Sequence, residues 1–199
     1  LSANAVDGET GVITYTQWLN ERGLIEADLT VTKLEPGTLG AVSADGRPSY
    51  LVVATDTAHR HVHSLLARAC AGSGRAFVAD VTGALAQLNL QGPRSRDVLA
   101  ELTSADVSDE ALPYRAAREI DVGFARVLAV RITYLGELGY ELYVPAEQAV
   151  HVYDQLVAVG ERFGLRPAGL RALSSLRLEK GYRDYGHDID NTDNAFEAG

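Results

Sequence analysis

The most regular pattern in the chain is the alternation of apolar and polar side chains over residues 84–91. Its apolar positions are Ala86, Leu88 and Leu90, and its polar positions are Gln87, Asn89 and Gln91. This period of two predicts a strand with one buried face. Residues 29–34 alternate in the same way, and the loop 20–23 joins them to a preceding strand over residues 11–16. Residues 50–54 (YLVVA) predict a further, short apolar strand.

Helices are predicted where apolar residues recur every three to four positions between helix-boundary residues. One helix begins at Asp56 and runs to about Cys70. A second extends from Pro93 through Leu99, because proline suits a first turn that needs no amide donor. The clearest helix begins at Pro145, and a last helix covers residues 168–180. The apolar positions of the Pro145 helix are Val150, Tyr153, Leu156, Val157 and Phe163.

The mixture of these elements predicts the fold class. Residues 126–134 and 140–144 are typical of a hairpin around the glycine-containing turn 136–139. Helices combined with antiparallel hairpins indicate an α+β protein with mixed antiparallel sheets and packed helices. After Gly181 the sequence becomes polar, and no closing element is predicted there.

Composition and charge exclude several classes of protein. The chain has 199 residues, of which 46% are hydrophobic, and its 18 Lys and Arg against 27 Asp and Glu give a formal charge of −9. Nucleic-acid binders need a cationic surface, and an acidic balance disfavours anionic membranes. A single cysteine, Cys70, suits a reducing cytosol or mitochondrial matrix. Because the chain begins at Leu1 and contains no methionine, we expect a processed chain or a piece of a longer one.

Two groups of side chains resemble metal sites superficially. His59 and His63 would share a helix face with His61 between them, but the sequence offers no third ligand, so an exposed helix start is the better interpretation. The acidic string that begins at Asp188 lacks the glycine and glutamate of a calcium loop, because Asp193 and Gly199 hold those places. The sequence therefore predicts no metal site.

Asp28 is the residue that local structure explains least. It precedes an alternating strand, although aspartate is a poor strand former. One interpretation is a carboxylate that accepts backbone hydrogen bonds at a strand start. The other is a charge at the edge of a pocket, where it handles a proton or a cation. Glu141 poses the same question, and tyrosines such as Tyr15, Tyr114 and Tyr134 could line a site for an aromatic ligand.

Four ordered segments resemble the aminomethyltransferase family of the glycine-cleavage T-protein. They are YTQWLNERGLIEADLTV, LNLQGPRSRDVL, ITYLGELGYELYVP and RPAGLRALSSLRLEKGYRDYGHDIDNTDNAFEAG. The last segment is most similar to the folate-binding tail of dimethylglycine and sarcosine dehydrogenases. The resemblance implies a folate-binding aminomethyltransferase-like fold over residues 1–199, truncated at both ends as a fragment of a longer chain.

The same resemblance implies roles for five residues. Asp28 falls on the family's essential aspartate, beside the folate amine nitrogens that accept the one-carbon unit. Glu141 falls on the glutamate that binds the pterin, whose parallel N–H donors suit one carboxylate. Tyr15 and Tyr134 match tyrosines that line the folate slot, and Tyr114 lies near an aromatic residue that contacts the ring system.

The implied function is a tetrahydrofolate-dependent one-carbon transfer that forms methylene-tetrahydrofolate from an amine-derived donor. Its partners would be folate, a small amine and either a covalently linked flavin domain or a lipoyl carrier protein. FAD would belong to an upstream domain absent from this chain. The alternative is a non-catalytic folate-binding or interaction module, which Leu173 in place of the T-protein arginine favours. The expected location is the cytoplasm, or the mitochondrial matrix in a eukaryote.

Overall fold

A computed structural model describes residues 2–41 and 46–199 of the chain. Its first sheet is antiparallel with strand order β1-β2-β3, formed by β1 (Ile13–Leu19), β2 (Ile25–Leu34) and β3 (Ser49–Ala54). They confirm the strands predicted over residues 11–16, 29–34 and 50–54. However, β2 begins at Ile25 because Ile25 and Ala27 extend the buried alternation. Asp28 therefore lies inside the strand, opposite Gln17 of β1, and not at the strand start as the sequence predicted.

The second sheet has the order β4-β7-β6-β5, and all of its neighbouring strands are antiparallel. Its strands are β4 (Leu85–Gln91), β5 (Ala117–Val122), β6 (Ala125–Val130) and β7 (Gly139–Pro145). Strand β5 was not predicted, because its charged residues mask the strand pattern. The predicted pairing of β6 with β7 is confirmed, but β6 ends at Val130. Beyond it, the backbone of Arg131 bonds to residues 115 and 116, and residues 131–138 form a loop.

The longer helices are α1 (His59–Cys70), α3 (Ala149–Gly160) and α4 (Leu170–Glu179), with the shorter α2 (Ser95–Ala100) and α5 (Ala195–Ala198). Single 3-10 turns precede α1 and α3. These helices agree with the predicted positions to within a few residues, apart from α5, which was not predicted.

The buried face of α3 carries Val152 and Leu156. Val150, Tyr153 and Val157 are instead 73%, 47% and 40% exposed. A stripe of apolar residues at helical spacing therefore lies on the outer surface. Spacing alone did not show which of the two apolar stripes faces the core.

The elements stack in the order α1, first sheet, second sheet, then α2 with α3. On the outer face of the first sheet, Ala27, Leu29 and Val31 pack against Val62 of α1. Between the sheets, an apolar cluster comprises Ile13, Leu34, Leu51, Ala117, Leu128, Val130 and Tyr143. On the outer face of the second sheet, Leu142 and Val144 pack with residues of α2 and α3. This arrangement confirms the predicted α+β class, with antiparallel sheets and packed helices.

The polar tail after Gly181 returns to the first sheet. The Ile25 amide donates to the Asp193 carbonyl over 2.9 Å, and Leu24 forms a bridge with Asn194. Asn194 also caps α5 reciprocally with Glu197. The tail is thereby fixed beside the beginning of β2, near Asp28. In the part of the chain that the structure describes, no helix has the length and apolar character needed to span a membrane.

Candidate functional site

The candidate site lies in the layer between the two sheets. Ile13, Thr32 and Leu51 are cross-strand partners, and Ile13 and Leu51 belong to the cluster that faces the second sheet. Because side chains of a strand alternate between faces, Asp28 faces the same layer as Thr32. Tyr15 and Gln17 share this face by the same alternation from Ile13.

Glu141 faces this layer from the opposite sheet. It lies two residues from Tyr143, which belongs to the inter-sheet cluster, and it pairs with Asn89 of β4 and Val130 of β6. The layer is thus apolar around Val130 and Tyr143 and becomes polar towards Glu141 and Asn89. The loop that follows Val130 carries Tyr134 towards Tyr15 and Asp28.

Side-chain donors, and no backbone amides within residues 2–41 and 46–199, hold the Asp28 carboxylate. Gln17 Nε2 donates to Oδ1 over 2.9 Å, and the Tyr15 hydroxyl faces the same group. Burial raises the pKa of Asp28 above its ordinary value, and the nearby charge of Asp184 adds to this effect. The hydrogen bonds from Tyr15 and Gln17 oppose it, because they favour the charged carboxylate. Burial prevails, so Asp28 holds a proton more readily than an aspartate in water.

Tyr15 has one end in solvent and one end in the site. The residue as a whole is 49% exposed. Burial of its hydroxyl raises the pKa of Tyr15, and the adjacent Asp28 carboxylate raises it further because it disfavours a second negative charge. Tyr15 therefore remains a neutral hydrogen-bond donor at physiological pH.

Tyr134 is fixed at both its ring and its hydroxyl. The hydroxyl donates to the Arg183 carbonyl over 2.7 Å. The ring lies nearly parallel to that of Tyr182, with centroids 6.2 Å apart and planes at 9°. Burial and the charges of Asp184, Asp28 and Asp188 raise the pKa of Tyr134 to about 12, with Arg177 opposing them.

Glu141 is held within its own sheet. The Tyr143 hydroxyl donates to Oε2 of Glu141 over 2.6 Å, and Gln87 Nε2 donates to that hydroxyl over 3.3 Å. Burial raises the pKa of Glu141, whereas the contacts with Tyr143 and Gln87 oppose the rise. Within residues 2–41 and 46–199 no hydrogen bond joins Glu141 to Asp28, Tyr15 or Tyr134. The two carboxylates face the same layer from opposite sheets.

Tyr114 lies apart from this group. It is 58% exposed, in the turn that precedes β5. Its neighbour Arg115, at a φ of 73°, anchors the turn to β1 by donating to the Ile13 carbonyl and to Thr14 Oγ1 over 2.9 and 3.2 Å. The structure therefore brings together Asp28, Tyr15 and Tyr134, places Glu141 across from them and leaves Tyr114 at the surface.

The polar residues that surround Asp28 were not predicted from the sequence. Gln17 could have been found from the strand register, since it is the cross-strand partner of Asp28. Arg177 and Asp184 lie within the quoted tail segment, but nothing in their spacing indicates that the tail folds back. Arg177 is the one buried residue of α4. Its guanidinium pairs with Asp188 and lies 3.9 Å from Asp184.

Two histidines of α1, His59 and His61, contact carboxylates on different parts of the chain. His59 Nε2 lies 2.9 Å from Asp80 Oδ2, and His61 Nε2 lies 2.9 Å from Glu26 Oε2. In the described ranges no group of at least three His, Cys, Asp or Glu side chains could hold a metal ion. These pairs account for two of the three histidines that the sequence singled out.

Comparison with known proteins identifies the family. The profile of the GCVT N-terminal domain matches residues 1–199. The chain belongs to this family. Its curated relatives include 4-methylaminobutanoate oxidase (formaldehyde-forming) of Paenarthrobacter nicotinovorans, 39% identical over 98% of the chain, and mitochondrial sarcosine dehydrogenase of Mus musculus, 38% identical over 98%. A third is the mitochondrial pyruvate dehydrogenase phosphatase regulatory subunit of Mus musculus, 33% identical over 100%.

The GCVT-family chain spans only 22%, 21% and 22% of the lengths of these relatives. Among solved structures it is similar to the glycine cleavage system aminomethyltransferase T from Bartonella henselae. The two share 25% sequence identity with a TM-score of 0.73, over 95% of this chain and 46% of that one. The resemblance to aminomethyltransferases and their fold is thereby confirmed.

Proposed function

We propose that this chain is a folate-binding domain over residues 1–199 that transfers a one-carbon unit from an amine-derived donor to tetrahydrofolate. The product would be methylene-tetrahydrofolate. The proposal adds a specific reaction to the family membership. Two relatives are named as an oxidase of 4-methylaminobutanoate and a dehydrogenase of sarcosine, both of which are N-methylated amines. Asp28 is the catalytic residue of the domain, and Glu141, Tyr15 and Tyr134 are its ligand-binding residues, whereas the exposed Tyr114 lies apart from them.

The residues between the sheets suit a flat ligand that carries paired hydrogen-bond donors. The pterin of a folate presents a ring N–H beside an exocyclic amine, which one carboxylate can accept together. Tyr143 occupies Oε2 of Glu141 with a single hydrogen bond, and an ionised carboxylate has about four acceptor positions. Glu141 therefore keeps room for ligand donors. The rings of Tyr15 and Tyr134 supply apolar faces beside Asp28.

The single observation that carries the proposal is the state of Asp28. This half-buried carboxylate is held by neutral donors only, and within residues 2–41 and 46–199 no Lys, Arg or His pairs with it. A buried charge without a counter-ion is costly. Binding of a positively charged reactant would remove that cost, which is a reason to retain the carboxylate here.

Asp28 has two proposed roles, which are to stabilise positive charge and to accept a proton. When bound, tetrahydrofolate supplies the amine nitrogens that accept the one-carbon unit. The Asp28 carboxylate stabilises positive charge that develops beside it and accepts a proton released from a nitrogen. Its raised pKa makes it a better proton acceptor than an ordinary aspartate. Tyr15 and Gln17 hold the carboxylate on the face of the first sheet that looks towards the second sheet.

The donor and the partners belong to the same proposal. In the dehydrogenase-type version, a flavin domain with FAD elsewhere in the protein oxidises a small amine to the one-carbon donor. In the T-protein version, an aminomethyl group arrives on a lipoyl carrier protein. Both versions suit a protein of the cytoplasm or the mitochondrial matrix, and two relatives are named as mitochondrial.

A second candidate function is a folate-binding or interaction module without a reaction of its own. The observation that favours it is the relative named as a pyruvate dehydrogenase phosphatase regulatory subunit, which is 33% identical over 100% of the chain. A regulatory role would need the fold and its surfaces but no proton transfer. Asp28 would then have no need of its raised pKa.

Replacement of Asp28 by asparagine in the full protein separates these functions. Asparagine preserves the shape and can accept the hydrogen bond from Gln17, but it removes the charge. We expect the dissociation constant of 5-formyltetrahydrofolate, measured by calorimetry, to change by less than about tenfold. Capture of the one-carbon unit as methylene-tetrahydrofolate should fall by about 100-fold, the usual contribution of a proton-transfer group.

Asp121→Asn is the matched control, because Asp121 is an exposed aspartate that faces Arg126 in the β5–β6 hairpin. It should leave both binding and capture unchanged. Equal capture in wild type and Asp28→Asn would remove the catalytic role and favour the second candidate.

A further inference from the structure

The tail contributes three consecutive residues to the surroundings of Asp28 and Tyr134. The ring of Tyr182 lies parallel to that of Tyr134, and the Arg183 carbonyl accepts the Tyr134 hydroxyl. The Asp184 charge raises the pKa of both Asp28 and Tyr134. Residues 182–184 therefore form one wall of the proposed site, although no element was predicted for this segment.

Arg177 holds both ends of this segment. Its Nη1 donates to the Tyr182 carbonyl over 2.9 Å and also to Asp188 Oδ2. Asp188 Oδ2 in turn accepts the Asp184 amide over 3.0 Å. These contacts close residues 182–188 into a loop around one buried guanidinium. The fixed fork of an arginine suits such a multiple role, which lysine can fill only in part.

The loop is also positioned against the first sheet. The Tyr185 hydroxyl lies 3.4 Å from the Ile25 carbonyl, and the Ile25 amide donates to the Asp193 carbonyl over 2.9 Å. Ile25 stands three residues before Asp28 on the same strand. A shift of the loop would therefore move Asp184 and Tyr182 relative to Asp28.

We propose that Arg177 is a positioning residue of the one-carbon transfer site, which holds the loop 182–188 against Asp28 and Tyr134 and offsets the charges of Asp184 and Asp188. This inference rests on the proposed function. It adds a role for a residue that touches neither Asp28 nor Tyr134 by a hydrogen bond. Arg177 acts through the tail and is not itself a catalytic residue.

The electrostatic part of this role has a definite sign. The titratable groups that face Asp28 are Tyr15 from β1, Tyr134 from the loop 131–138, and Asp184 and Tyr185 from the tail. Among the groups behind them, Asp188 is negative and Arg177 is positive. Asp184 also contacts His187, whose Nδ1 lies 3.3 Å from Asp184 Oδ2. Loss of the Arg177 charge therefore leaves the two tail aspartates with less compensating positive charge, and like charges disfavour ionisation of Asp28. Loss of the Asp184 charge has the opposite effect.

The experiment compares Arg177→Met, Arg177→Lys and Asp184→Asn in the full protein. The first readout needs no ligand and follows the Asp28 carboxyl by 13C NMR as a function of pH. We expect a higher Asp28 pKa in Arg177→Met, a lower one in Asp184→Asn, and a value near wild type in Arg177→Lys. A purely structural role would not shift the pKa in opposite directions in the two charge-removing variants.

The second readout is the dissociation constant of 5-formyltetrahydrofolate by calorimetry. We expect about tenfold weaker binding in Arg177→Met and a smaller loss in Arg177→Lys. Arg171→Met is the control, because Arg171 is an exposed arginine on the same helix. The Asp28 pKa and the dissociation constant of 5-formyltetrahydrofolate should be the same in Arg171→Met as in wild type.

The two proposals fail in different ways. Absence of folate binding in wild type would contradict the proposed function, and the NMR titration would still test Arg177. An unchanged Asp28 pKa in Asp184→Asn would overturn the inference, even if Arg177→Met does not fold. Folate binding that is as tight in Arg177→Met as in wild type would also overturn the inference.

Discussion

At the scale of single residues, burial and local hydrogen bonds decide the properties of the site. Asp28 and Glu141 both have raised pKa values because protein replaces water around them, while neighbouring donors limit the rise. The donors are neutral in both cases, namely Tyr15 and Gln17 for Asp28, and Tyr143 and Gln87 for Glu141. Among the described residues, 2–41 and 46–199, neither carboxylate has a cationic partner, and carboxylates with shifted pKa values of this kind are common at functional sites.

The ionised Asp28 carboxylate should therefore lower the free energy of unfolding near neutral pH. Its folded pKa lies above the unfolded value of about 3.9, so the unfolded chain releases this proton at lower pH than the folded chain does. Stability falls as the pH rises from the unfolded to the folded pKa. We expect Asp28→Asn to have a higher Tm than wild type at pH 7, as measured by calorimetry.

The difference in Tm between the two proteins should shrink below about pH 4, where both states of wild type carry the proton. Taking the difference at each pH cancels the titration of every other group. A Tm of Asp28→Asn below that of wild type at pH 7 would mean that the hydrogen bonds of the charged carboxylate outweigh its burial.

At the scale of elements, which face is buried cannot be told from spacing alone. Helix α3 carries apolar residues around much of its circumference, and the second sheet covers only the face with Val152 and Leu156. The exposed stripe with Val150, Tyr153 and Val157 follows the same period. In β2, by contrast, the alternation is unambiguous because a strand has only two faces.

A pair of substitutions in α3 tests this assignment. Leu156→Ala removes a buried side chain and should lower the free energy of unfolding by about 2–5 kcal/mol. Val150→Ala alters a residue that is 73% exposed. It should change the free energy of unfolding by less than about 0.5 kcal/mol. Denaturant unfolding of both variants measures these values, and similar costs for the two would contradict the orientation of the helix.

At the scale of the whole molecule, the proposed site joins parts of the chain that are far apart in sequence. Asp28 belongs to the first sheet, Glu141 to the second, and Asp184 to the tail. The apolar cluster between the sheets fixes the distance between Asp28 and Glu141, and Arg177 fixes the tail. A ligand bound between them would link all three parts at once.

Ligand binding should therefore protect all three parts from hydrogen exchange. With 5-formyltetrahydrofolate at about 100 times its dissociation constant, the folded state gains about 2.7 kcal/mol. We expect slower exchange, measured by mass spectrometry, in peptides from β2, β7 and residues 182–188. Peptides from α1, on the far side of the first sheet, should show the smallest local change. Protection limited to one sheet would contradict a ligand site between the sheets.

Much of the fold could be predicted from local patterns. The strands around residues 29–34, 50–54 and 84–91 and most of the helices were recognised because alternation and boundary residues act over a few positions. The missed strand β5 carries charged residues on its exposed face, and the end of β6 depends on bonds from Arg131 to residues 115 and 116. Such partners are distant in sequence, so no local pattern indicates where they lie.

The sequence by itself determined the α+β class, the positions of most elements, the family resemblance and the candidates Asp28, Glu141, Tyr15 and Tyr134. Only the tertiary structure decided that Asp28 lies inside a strand, that Tyr114 stays at the surface and that the tail around Arg177 returns to the site. Local periodicity specifies which residues share a face. Which faces meet depends on packing between sheets and on buried hydrogen bonds, and these join residues that the order of the chain keeps apart.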